Sequence, residues 1–105
     1  MKKIIWLGSS YKDLLAFSKP AKQIAGYNLD RIQRGLEPAD WKPMPSIGKG
    51  VKEIRIHSEN EYRVIYTAQL TEGIYVLHSF VKKTQKTSQK DLELAKKRFN
   101  EIGSK

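Results

Sequence analysis

Apolar residues recur along this chain in two different periods, which separate extended segments from helical ones. Residues 4–7 form a short apolar run that ends at glycine and serine, which suits a buried strand. Three longer runs rich in β-branched and aromatic residues cover Val51–His57, residues 62–68 and residues 74–81. The segments between them are short enough for hairpins, so the pattern predicts a three-stranded antiparallel meander.

Helical signals occupy the chain between the first strand and the meander. The serine pair at residues 9–10 and Asp13 have the pattern of a capping box, and Pro20 interrupts the helix that they would begin. Ser18 starts a second helix, which tolerates Pro20 in its first turn. Apolar side chains then recur at helical spacing until Gly35, which is the expected stop.

The remaining segments complete the predicted fold. Residues 37–50 are rich in proline and glycine, which predicts an irregular connection with one edge strand near Trp41. Ser88 and Asp91 form another capping-box pattern ahead of an amphipathic C-terminal helix. The elements predict an α+β class in a single domain over residues 1–105: a small, mostly antiparallel sheet with two N-terminal helices on one face and a C-terminal helix, for which we expect the same face.

The charge balance of the chain indicates the class of partner that it binds. The chain has 20 lysines and arginines against 11 acids, and its net charge is +9. A surplus of this size is typical of proteins that bind a polyanion or an acidic partner.

Several kinds of chemistry are excluded by the residue types. There is no cysteine, which rules out disulfides and thiolate chemistry, and the two histidines show no metal-ligand spacing. We therefore expect no metal and no cofactor. The apolar run near the N-terminus is too short to export or anchor the chain, so we expect a cytoplasmic protein without a membrane segment.

The charged positions of the first meander strand point to an anion. Alternation in Val51–His57 puts Glu53, Arg55 and His57 on the face opposite the isoleucines, and a hairpin would bring Arg63 beside Arg55. Two guanidiniums on one face repel each other unless anions lie between them, so the spacing favours an anion site. The alternative is that Arg55 pairs with Glu53 or Glu61 and that this strand face is solvated.

A cluster of lysines follows the last strand of the meander. Lys82, Lys83, Lys86 and Lys90 come with no acid between Gly73 and the last of them. They lie where a strand gives way to a helix, a position at which loops commonly carry function. This cluster, together with Lys52 and His57, predicts a surface that binds RNA phosphate, and a solvated charge run is the alternative.

The two histidines are candidates for proton transfer. His78 shares its predicted strand face with Ile74, Val76 and Phe80, which favours a core histidine, whereas His57 is near a turn and better exposed. If the target is RNA, cleavage without a metal needs a proton acceptor for the 2′-hydroxyl, cations for the phosphorane and a proton donor for the 5′-oxygen.

Three motifs resemble the RelE/ParE toxin superfamily, and most closely its phage-related HigB-like branch. They are GVKEIRI at residues 50–56, EYRVIY at residues 61–66 and VLHSFVKKT at residues 76–84. The KKTQKT run at residues 82–87, which leads into AKKR at residues 95–98, is typical of that branch. The resemblance implies the same fold, ribosome-dependent cleavage of mRNA, and a co-encoded antitoxin with a helix-turn-helix DNA-binding domain.

The resemblance also assigns roles to residues of this chain. Arg63 matches the arginine that contacts the scissile phosphate, Arg55 matches a basic strand position, and Lys83 matches a basic residue at the end of the last strand. The tyrosine that RelE carries beyond this strand has no counterpart here, which leaves His57, His78 or a lysine as the base, and the histidine used by HigB-type members favours His78. Lys82 and Lys86 would extend the phosphate-binding surface.

Two other functions fit the same sequence. One is a ParE-like inhibitor of DNA gyrase that does not cleave RNA, and the other is a nucleic-acid-binding module without toxicity. An adjacent reading frame with a helix-turn-helix pattern would favour the two toxin functions over the module.

Overall fold

The computed structural model describes residues 1–103, which form one five-stranded sheet and three helices. In chain order the elements are β1 (Ile4–Trp6), α1 (Ser10–Leu15), α2 (Lys19–Gln33), β2 (Trp41–Pro43), β3 (Val51–His57), β4 (Glu61–Thr67), β5 (Ile74–Lys82) and α3 (Gln89–Ile102). The sheet order is β1-β5-β4-β3-β2. Strand β1 is parallel to β5 and the other pairs are antiparallel, so the predicted fold class, the meander and the edge strand at Trp41 are confirmed.

Serine caps begin two of the three helices as expected. The Ser18 hydroxyl accepts a hydrogen bond from the Ala21 N–H at 3.3 Å, and the Ser88 hydroxyl accepts one from the Asp91 N–H at 3.2 Å. The capping box predicted for α1 is wrong, because the hydroxyl of its N-cap residue Ser9 donates to the Asp13 carboxylate instead of accepting from a backbone N–H.

The end of α2 follows the expected glycine stop. Gly35 has a φ of +83°, a left-handed conformation that glycine adopts without a steric penalty. The turn lets the Leu36 N–H donate to the Arg31 carbonyl at 2.9 Å and the Gly35 N–H donate to the Ile32 carbonyl at 3.0 Å. These bonds satisfy carbonyls that the helix end would otherwise leave open.

Two apolar cores lie on opposite faces of the sheet. Helices α1 and α2 pack on the face that carries Ile54, Ile56 and Val64, whereas α3 packs on the face that carries Ile65 and Leu77. The expectation that α3 shares the face of the N-terminal helices is therefore wrong. Both faces of the sheet are apolar along part of their length, and apolar periodicity alone does not say which face a helix covers.

A bulge in β5 decides where His78 points. Ile65 of β4 pairs with His78 while the next residue, Tyr66, pairs with Val76, so Leu77 is the extra residue. An extra residue reverses the alternation of side chains beyond it. His78 and Phe80 therefore face α3, and the prediction that His78 shares a face with Ile74 and Val76 is wrong.

Candidate nucleic-acid interface

The α3 face of the sheet brings most of the predicted site residues together. Arg55 pairs with Arg63 across β3 and β4, as the hairpin predicted, and Arg63 pairs in turn with Phe80 of β5. The neighbouring row toward the hairpin turn contains His57, Glu61 and Lys82. The row on the other side contains Glu53, Ile65 and His78.

Arg63 is the buried centre of this face, with only 3% of its surface exposed. Its Nη2 lies 3.1 Å from Glu61 Oε1, its Nε lies 3.6 Å from Glu53 Oε1, and its Nη1 donates to the Tyr62 carbonyl at 2.9 Å. The chain's own carboxylates therefore supply the anions that the paired guanidiniums require.

Glu53 is buried more completely than any other acid that contacts this face. It is 1% exposed, and its Oε2 accepts a hydrogen bond from the Thr87 hydroxyl at 2.8 Å. Thr87 ends the lysine segment just before α3, so one carboxylate connects the buried arginine to that segment. We call Glu53, Arg63 and Thr87 the buried cluster.

Four exposed or half-exposed residues at the hairpin end of the same face form a second group. His57 Nδ1 lies 2.7 Å from Glu61 Oε1, and His57 Nε2 lies 2.7 Å from Asp40 Oδ2. Arg55 Nε lies 3.8 Å from Asp40 Oδ1. We call Asp40, Arg55, His57 and Glu61 the hairpin cluster, which Glu61 joins to Arg63 of the buried cluster.

Hydrogen bonds within the hairpin cluster shift the pKa values of His57 and Glu61 in opposite directions. The bonds to Glu61 and then Asp40 raise the pKa of His57 above its usual value. The bond from His57, followed by the bond from Arg63, lowers the pKa of Glu61. An imidazolium and a carboxylate in contact stabilise each other's charged forms.

Both guanidiniums retain donor capacity. Within residues 1–103, Arg55 Nε and Arg63 Nε are buried and have no hydrogen-bond partner, since their carboxylate contacts exceed hydrogen-bond distance. A buried donor without a partner costs about 1 to 3 kcal/mol. At Arg55, whose side chain is 39% exposed, an incoming oxyanion would remove that cost. Arg63 Nε faces the buried Glu53 carboxylate instead.

His78 is placed as a link between β5 and α3. Its Nε2 lies 2.7 Å from Asp91 Oδ1, and its ring stacks on Phe80 with centroids 4.6 Å apart. His78 Nδ1 is buried and has no hydrogen-bond partner within residues 1–103. Asp91 also accepts from the Ser88 hydroxyl, so the contact of His78 is with the capped first turn of α3.

The lysines divide between two faces. Lys82 ends β5 opposite Glu61, and Lys83 and Lys86 are exposed in the segment that follows, where the Thr84 hydroxyl donates to the Lys86 carbonyl. Lys52 lies on the other face, where its Nζ is 2.8 Å from Glu37 Oε2 and 4.5 Å from the centroid of the Trp41 ring. The structure therefore does not bring Lys52 to the arginines.

Four acids contact predicted site residues on the α3 face but are not among the residues that the sequence predicted for the site: Asp40, Glu53, Glu61 and Asp91. Alternation places Glu53 on the arginine face, but only the packing of Thr87 shows that it is buried there. Glu61 is identifiable from its position opposite His57 in the hairpin. Asp40 and Asp91 come from outside the meander, and no local pattern connects them to the histidines.

The described residues contain neither a candidate metal site nor a candidate membrane-spanning helix. Among residues 1–103, no group of three or more histidine, aspartate or glutamate side chains could hold a metal ion. Over the same residues, no helix has the length and apolar character needed to cross a membrane.

The fold and the site define a small basic α+β protein. One face of its sheet carries arginines and histidines that contact carboxylates of the same chain. The model of the family described as phage derived protein Gp49-like (DUF891) matches residues 12–100, and the chain belongs to this family. The family is associated with the toxins of toxin-antitoxin systems. A search of curated proteins found no significant match.

Proposed function

We propose that this protein is the toxin of a type II toxin-antitoxin pair and that it cleaves ribosome-bound mRNA in the cytoplasm. The observation that carries the proposal is the pair of guanidiniums of Arg55 and Arg63, in register on one face, each with a buried Nε that lacks a hydrogen-bond partner among residues 1–103. Planar guanidinium donors suit the charge that develops on a phosphorane. The resemblance to RelE and HigB-like toxins and the association of the family with toxins support the proposal.

The proposed reaction is a metal-independent transesterification. The 2′-oxygen forms a bond to the adjacent phosphorus, and the bond from phosphorus to the 5′-oxygen breaks. The products end in a 2′,3′-cyclic phosphate and a 5′-hydroxyl. Arg55 and Arg63 stabilise the phosphorane, while Lys82, Lys83 and Lys86 bind neighbouring phosphates and release counterions.

The proposal includes two macromolecular partners besides mRNA. The ribosome presents the substrate, and a co-encoded antitoxin with a helix-turn-helix domain restrains the toxin. The association of the family with toxin-antitoxin systems supports an antitoxin partner.

The test compares variants of the cationic face after induced expression. Arg63→Lys keeps the charge of a buried residue but loses its planar fork, and Lys83→Ala removes an exposed charge. We expect the wild type to stop growth and truncate its mRNAs, and the double variant to do neither. Lys19→Ala, which removes an exposed charge at the start of α2 on the other face, is the matched control and should remain toxic.

Each alternative has its own outcome in this experiment. Growth arrest by a folded double variant would remove Arg63 and Lys83 from the site. DNA damage with intact mRNA would identify a gyrase inhibitor. Salt-sensitive RNA binding without growth arrest would identify a binding module.

A further inference from the structure

The hairpin cluster contains more than phosphate binding requires. Lysines and arginines alone would bind RNA, yet here an imidazole lies between two carboxylates, with each of its nitrogens 2.7 Å from a carboxylate oxygen. Each carboxylate also contacts one of the paired arginines. All four members have side chains at least 39% exposed, so a substrate can reach them, whereas the side chain of His78 is only 7% exposed.

We propose that Glu61 and His57 perform the two proton transfers of the cleavage reaction, with Asp40 as the positioning residue that holds His57. This assignment rests on the proposed ribonuclease function. Glu61 Oε accepts the proton of the 2′-hydroxyl while the 2′-oxygen bonds to phosphorus. His57 donates a proton from Nδ1 to the 5′-oxygen as its bond to phosphorus breaks.

The contacts of the free protein indicate which bonds Glu61 and His57 must break to meet the substrate and how their starting protonation states are restored. Phosphate oxygens that bind Arg63 and Arg55 compete with Glu61 Oε1 and Asp40 Oδ1 for the guanidiniums. The Glu61 carboxylate must also leave His57 Nδ1, which contacts both of its oxygens, before it reaches the 2′-hydroxyl. His57 keeps Asp40 through Nε2. After cleavage Glu61 carries a proton and His57 is neutral, and their 2.7 Å contact provides a direct path for the proton to return.

The ionisation states agree with these roles. A base must start unprotonated and an acid must start protonated, and the hydrogen bond between His57 and Glu61 favours both states. The charged groups around the pair are Asp40 before β2, Arg55 on β3, Arg63 on β4, and Lys82, which pairs with Glu61 from β5. The Arg63 guanidinium, 3.1 Å from Glu61, also favours the ionised form of that carboxyl group.

The test is the pH dependence of cleavage of a defined ribosome-bound mRNA by single variants. Glu61→Gln and His57→Gln should each slow cleavage by about 100-fold or more. Glu61→Gln should remove the acidic limb of the rate profile, and His57→Gln should remove the basic limb. Asp40→Asn should move the basic limb to lower pH, because His57 loses a carboxylate that stabilises its charged form. A purely structural role for Asp40 would leave that limb in place.

The control is Glu59→Gln, which removes a charge in the same hairpin from a residue that contacts Ser18 and Tyr62 instead of the arginines. It should keep the wild-type rate and profile. If a folded double variant of Glu61 and His57 cleaves RNA at the wild-type rate, the assignment of these two residues is wrong. That result would leave the proposed ribonuclease function in place. Absence of any cleavage by the wild type would overturn the proposed function and this assignment with it.

Discussion

The buried cluster and the hairpin cluster each contain a glutamate that contacts Arg63, but the two glutamates differ in burial. Glu53 holds Arg63 from inside the protein, at 1% side-chain exposure, whereas Glu61 reaches the same guanidinium from a side chain that is 45% exposed. A buried ion pair cannot exchange its partner without a large desolvation cost, but an exposed one exchanges partners readily. Glu53 therefore fixes the position of Arg63, whereas Glu61 can exchange its contact with Arg63 for a contact with another group.

The largest effect should come from breaking the buried pair. Glu53→Ala leaves the Nε side of Arg63 without its carboxylate and frees the Thr87 hydroxyl, so the free energy of unfolding should fall by about 3 kcal/mol. Urea unfolding measures this change. Glu61→Ala removes the exposed partner of the same arginine and should cost far less. Equal losses in the two variants would contradict the comparison.

A smaller loss should follow from the contact between β5 and α3, which lies beside the buried cluster. Asp91→Ala leaves Nε2 of the buried residue His78 without its carboxylate partner, and the free energy of unfolding should fall by about 2 kcal/mol. Ser88→Ala removes the cap of α3 and keeps the contact to His78, so it should cost about 1 kcal/mol. A larger loss for Ser88→Ala would show that the cap, and not the histidine contact, governs this junction.

The smallest effect should be the pH dependence of the hairpin cluster. The pKa of His57 is raised in the folded protein, so its contribution to stability is fully present below the unfolded value near 6.5 and is lost as pH rises through the folded pKa. The difference in urea midpoint between the wild type and His57→Gln should shrink over that range. An unchanged difference from pH 5 to pH 9 would show that His57 does not bridge the two carboxylates in solution.

The bulge at Leu77 in β5 shows why the alternation of side chains along a strand did not predict the face of His78. Alternation in β3 and β4 correctly paired Arg55 with Arg63, because those strands are in continuous register. The same reasoning failed for His78, because the bulge at Leu77 reverses every side chain beyond it. The bulge is visible only against the partner strand, so no pattern within β5 predicts it.

The sequence by itself determined the elements, the meander and the cationic character of the site. These depend on local spacing, on caps such as Ser18 and Ser88, and on the charge surplus, all of which act over a few residues or over the whole composition. It also brought Arg55 and Arg63 together, since a short hairpin leaves few registers open.

Only the tertiary structure decided which acids accompany the cations and how deeply each is buried. Asp40 and Asp91 reach His57 and His78 from segments outside the meander, and the buried Glu53 is contacted by Thr87 from the segment before α3. The strength of each ion pair depends on burial and distance, which local spacing does not encode. The division between the buried contact of Glu53 with Arg63 and the exposed contacts of Glu61 and His57 is therefore a property of the packed molecule.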